Sequence, residues 1–164
     1  TAKHSTLEIV SKASCPSQDK LNPHICRFAS SKSNPQQTYD ACVAANDMDT
    51  VNALAKSWDK NKKIPNKNSF MVNVLDKLIA TDANNIWAYM SKARNQFEAG
   101  QSQQSISTLK QVLSKSRDAK EIMSVASLAG KMEATSLQMD AYQKACDLGN
   151  SGACKKLPKE EETE

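Results

Sequence analysis

Residues 87–113, WAYMSKARNQFEAGQSQQSISTLKQVL, decide the fold. Apolar or small side chains at Tyr89, Met90, Ala93 and Phe97 keep helical spacing, Gly100 interrupts it, and Ile106, Leu109, Val112 and Leu113 resume it. The pattern predicts a helix, a turn and a second helix. Moving the frame forward by 33 residues lands on Ile122, Met123 and Ala126, then on Met139, Tyr142, Ala145 and Cys146. Moving it back by 34 lands on Val72, Leu75, Leu78 and Ile79, a match for the second helix alone. A helix pair on this period cannot bury its apolar faces by itself, so neighbouring pairs are expected to stack over a shared core.

Composition agrees with an all-α chain. The sequence has 164 residues, 39% hydrophobic and 24% charged, enough for one folded domain with a core of ordinary size. Glycine and proline are scarce, four and five, and no run alternates with the period of two that a half-buried strand requires. The net charge of +4 is spread along the chain with no basic block, which argues against a nucleic-acid partner. No apolar run reaches the roughly 18 residues of a membrane-spanning helix, so no transmembrane segment is expected. The chain opens at Thr1 without a methionine or an apolar leader, which fits a mature product after signal cleavage or an excised segment.

With the repeat in hand, Ala93, Phe97, Gly100, Leu109 and Val112 resemble the small, aromatic, turn-glycine and packing positions of a tetratricopeptide repeat. Ser105 stands where that family usually has alanine, and no proline closes the unit. Further on, YQKACDLGNSGAC (residues 142–154) is similar to the junction between repeats in Sel1-like proteins, above all the bacterial cysteine-rich group. The resemblance covers about residues 68–157 and implies a stacked helical-hairpin solenoid with a Cys146–Cys154 disulfide. Local chemistry agrees with that implication. Gly149 suits the left-handed residue that ends a helix, and Ser151 suits the cap of a short following helix carrying Cys154. Closing so short a loop contributes on the order of 2–3 kcal/mol through the unfolded state. The competing reading is two buried thiols packed as small hydrophobes.

The remaining cysteines lie in a less regular part. Helices are expected over residues 24–32 and 36–45, on either side of Ser33, Asn34 and Pro35, and an antiparallel hairpin there brings Cys26 towards Cys42. Cys15 is an alternative partner for Cys26, and an odd count leaves one cysteine over. Cys15, His24, Cys26 and Cys42 also have residue types that suit zinc, but without the compact spacing of structural zinc sites, so no metal or other cofactor is expected. Ser5, Thr6, Leu7 and Glu8 form a capping box before Ile9 and Val10. Val51, Leu54, Ala55 and Trp58 mark a helix over 48–58, KNKKIPNKN (60–68) reads as a solvated loop, and a helix over 69–80 follows. The expected layout is one helical domain over 1–157, with an irregular cap (1–46), hairpins (47–157) and an acidic flexible tail (158–164). Disulfides place such a chain in the periplasm or outside the cell.

No catalytic motif is present: GxSxG, HExxH, a P-loop and GxGxxG are all missing, and His4 and His24 stand apart with no local partner. The expectation is a non-enzymatic scaffold that binds a protein or peptide. In a tetratricopeptide-like stack the first helix of each pair lines a groove, which puts Trp87, Met90, Arg94 and Phe97 along it. Lys120, Met123, Ser127 and Gly130 follow in the next unit, with Lys131 beside them. Trp87, Arg94, Phe97, Lys120 and Lys131 are the candidate partner contacts, and the methionines read as inter-repeat core. Because some cysteine-rich Sel1-like relatives bind β-lactams or peptidoglycan fragments, a cell-wall ligand is the alternative that the resemblance implies.

Overall fold

The computed structural model describes Cys26 and residues 34–160. The capping box at residues 5–8, His4, His24, Cys15, the helix expected over 24–32 except Cys26, and the last four residues of the acidic tail lie outside the described residues.

Every regular element among the described residues is a helix. In chain order these are α1 (Pro35–Ala44), α2 (Met48–Lys60), α3 (Lys67–Thr81), α4 (Ile86–Glu98), α5 (Ser102–Lys115), α6 (Ala119–Lys131), α7 (Thr135–Asp147) and the short α8 (Ser151–Cys154). Local chemistry explains most of the starts. Asn34, Asp47, Asn85, Asp118 and Asn150 each cap a helix by accepting a hydrogen bond from a first-turn backbone N–H, which satisfies donors that the helix itself leaves orphaned. Pro35 fills the first helical position of α1, where its missing N–H costs nothing. The ends have their own devices: Gly100 and Gly149 take φ of +78° and +93°, conformations that a side chain disfavours.

The chain divides into two compact units, Thr1–Val74 and Leu75–Glu164. In the first, Trp58 of α2 is buried and meets Phe70 edge-on at 5.3 Å, while Tyr39 of α1 approaches the same ring at 6.2 Å. Val51, Ala55, Met71 and Val74 complete this core. The lysine-rich connection after α2 is not wholly solvated. Ile64 turns inward and is buried, and the Lys67 ammonium donates to the Asp59 carbonyl in the last turn of α2.

In the second unit α4 packs on α5 and α6 packs on α7, each pair joined by a tight turn. Ile86 and Ala119 start the first helices of the two pairs 33 residues apart, and Ser102 and Thr135 start the second helices at the same interval. A shared core holds the pairs together: Ala93, Leu109, Val112, Ile122, Val125, Ala126 and Ala141 are all fully buried. α8 begins within one residue of where the same interval would open another first helix, and its Ala153 is sealed into this cluster. The Lys144 ammonium of α7 donates to the Leu113 carbonyl near the end of α5, which ties the second helices of the two pairs.

Candidate functional site

Met90 and Arg94 stand one turn apart on α4, and Ser124, Ser127, Leu128 and Lys131 occupy one face of α6 at spacings of three and four. These six side chains line a cleft of about 190 Å³ between the first helices of the two pairs. Met90 and Leu128 are nearly fully buried and form an apolar floor; Arg94, Ser124, Ser127 and Lys131 are exposed. No carboxylate lines the cleft, so its charged groups are both cations. Among the described residues no carboxylate pairs with Lys131, whereas Lys92 on the opposite side of α4 from the cleft is held by Asp76 at 2.7 Å. The Ser124 hydroxyl donates to the Lys120 carbonyl at 3.1 Å.

Of the five candidate contacts, the structure brings Arg94 and Lys131 into this cleft. Phe97 is half-buried and packs on the core cluster, as does Met123. Trp87 is half-buried in the first turn of α4, and Lys120 is exposed in the first turn of α6; neither lines the cleft. Ser124 and Leu128 were not among the sequence candidates, although with Ser127 and Lys131 they form a stripe at i, i+3, i+4 and i+7 that the helical period carries.

Cys26 is bonded to Cys42, with Cα atoms 4.8 Å apart, and Cys146 to Cys154, at 4.7 Å. The sulfurs of Cys26 and Cys42 are therefore not available as thiolate ligands for the zinc arrangement. Cys146 sits in the last turn of α7 and Cys154 at the end of α8, so the bond spans the corner that Gly149 makes.

No family model, curated protein or solved structure matches this chain.

Proposed function

We propose that the protein is a non-enzymatic helical-hairpin repeat scaffold of the tetratricopeptide and Sel1-like kind, and that it binds an acidic peptide segment of a partner protein. The reading rests on the cleft between α4 and α6. There Arg94, Lys131 and two serines surround an apolar floor, and among the described residues no carboxylate pairs with Lys131. A carboxylate approaching Lys131 gains a charge-assisted hydrogen bond, and an aliphatic neighbour on the same segment covers Met90 and Leu128. The 33-residue interval between equivalent helices supports the repeat assignment. Two disulfides support work in the periplasm or outside the cell.

An array of synthetic peptides pairing aspartate or glutamate with leucine, isoleucine or methionine tests this, with lysine-containing peptides as controls. Acidic members should bind saturably and more weakly as salt rises, and Lys131→Glu, an exposed position, should weaken them by at least about tenfold. Indifference of the array to charge, or to Lys131→Glu, would remove the proposal. Saturable binding of a muropeptide with none of the acidic peptides retained would shift the assignment to a cell-wall ligand.

A further inference from the structure

The two disulfides differ sharply in their surroundings. Cys26 and Cys42 are 1% and 0% exposed, so no external reagent reaches their sulfurs while the first unit is folded. Cys154 is exposed and Cys146 only half-buried. Thiol–disulfide exchange needs a thiolate to approach one sulfur, so access sets which bond reacts. Lys155 and Lys156 directly follow Cys154, and their positive charges favour the approach of an anionic thiolate.

We propose that Cys146–Cys154 is a thiol–disulfide exchange site for an external dithiol, and that opening it releases α8 from the end of the second unit. The incoming thiolate attacks the Cys154 sulfur, forms a mixed disulfide there and expels Cys146 as a thiolate. The second thiol of the same reductant then attacks its own sulfur in the mixed disulfide and frees Cys154. Two electrons pass from the dithiol, which ends as its disulfide, to the protein cystine, and the two cysteine thiolates take up two protons.

Release follows from how little else holds α8. It has four residues, too few to persist alone. The Asn150 side chain, accepting from Ala153 N at 2.9 Å, only caps α8 itself; what ties α8 to α7 includes the buried Ala153 methyl and the Asn150 N–H donating to the Ala145 carbonyl at 2.9 Å. The short helix packs mainly on α7, so undocking uncovers part of that helix while the packing of α4 on α5 and of α6 on α7 stays in place. The site lies outside the cleft and is independent of any peptide bound there.

Limited reduction of the full chain under native conditions tests this without any substitution. The protein is exposed to dithiothreitol for increasing times, quenched in acid, alkylated, and mapped by peptide mass spectrometry, which scores Cys15 separately. Cys146 and Cys154 should become alkylated at least about tenfold faster than Cys26 and Cys42. A brief pulse of glutathione, a monothiol, should leave its adduct on Cys154 and the free thiol on Cys146. Hydrogen exchange of the singly opened species should show protection lost over residues 148–157 and kept in α4 to α7. Equal opening rates, earlier opening of Cys26–Cys42, an adduct on Cys146, or loss of protection throughout the unit would each overturn the proposal.

Discussion

The Ser105 hydroxyl on α5 donates to the Ala93 carbonyl on α4 at 2.7 Å, and 33 residues later Gln138 on α7 makes the equivalent reach, its Nε2 donating to the Ala126 carbonyl at 3.2 Å. Each donor crosses its hairpin to a backbone oxygen twelve residues upstream. The repeat is therefore written in polar locks as well as in apolar positions. An alanine at Ser105 would give up this bond. Ser105→Ala should lower stability by about 0.5–1.5 kcal/mol, read from chemical denaturation, because the Ala93 carbonyl keeps its place in the helix and is not orphaned.

A second polar pair in the first hairpin should cost more to break. Thr108 Oγ1 lies 2.7 Å from Gln96 Oε1, and both side chains are buried. Thr108→Val removes the hydroxyl and leaves the Gln96 amide without it, at about 1–3 kcal/mol. Adding Gln96→Leu should recover part of that loss, and a double-mutant cycle showing no coupling would contradict the pairing.

Gly130 explains why the second hairpin closes as tightly as it does. A Cβ there would stand 2.4 Å from Gln138 Nε2, so alanine must push that amide off the Ala126 carbonyl. The gain of up to about 0.5–1 kcal/mol for replacing a helical glycine is then offset by the lost bond. Gly130→Ala should be nearly neutral in the native background and stabilising by about 0.5–1 kcal/mol once Gln138 is alanine, as measured by thermal melts of the four variants.

Glu133 occupies the turn between α6 and α7 with φ of +56°, at the place that Gly100 fills with +78° in the preceding hairpin. A left-handed conformation costs a residue with a Cβ about 1–2 kcal/mol. Glu133→Gly should accordingly raise the melting temperature and Gly100→Ala should lower it, with both changes visible by circular dichroism.

Acid should weaken the first unit through Asp47. Its carboxylate accepts from the Thr50 hydroxyl at 2.7 Å and the Thr50 backbone N–H at 3.1 Å, and these bonds hold its pKa below the ordinary aspartate value. A group with a depressed folded pKa contributes stability that is full above its unfolded value, near 4, and is lost as pH falls through the folded value. Asp47→Asn keeps a capping side chain but cannot titrate. Below about pH 4 the gap between the two proteins' melting temperatures should therefore narrow.

Much of this was legible in the sequence, for a physical reason. Burial imposes a 3.6-residue period on apolar side chains, so α2 to α7 and the 33-residue interval can be read from residues such as Val51, Leu109 and Ile122. The capping residues Asp47, Asn85 and Asp118 are equally local signals. Polar locks carry no residue-type signal: Ser105 and Gln138 recur at the same interval but differ in chemistry, and they gain meaning only when a partner helix supplies a carbonyl. Phe97 could be placed on a helix face from the sequence, but whether that face met core or solvent depended on the packing of the pairs, and the structure sets it against the core. The same dependence hid Ser124 and Leu128, which became cleft residues only when α4 was laid beside α6. Ile64 escaped notice because one apolar residue in a lysine-rich connection carries no pattern.

The most direct test of peptide binding is a titration of isotopically labelled protein with a short glutamate–leucine peptide, followed residue by residue by NMR. Binding at the cleft predicts saturable shifts concentrated at Met90, Arg94, Ser124, Ser127, Leu128 and Lys131, suppressed in Lys131→Glu. Spectra that stay unchanged at saturating peptide, or shifts gathered elsewhere and unaffected by Lys131→Glu, would contradict it.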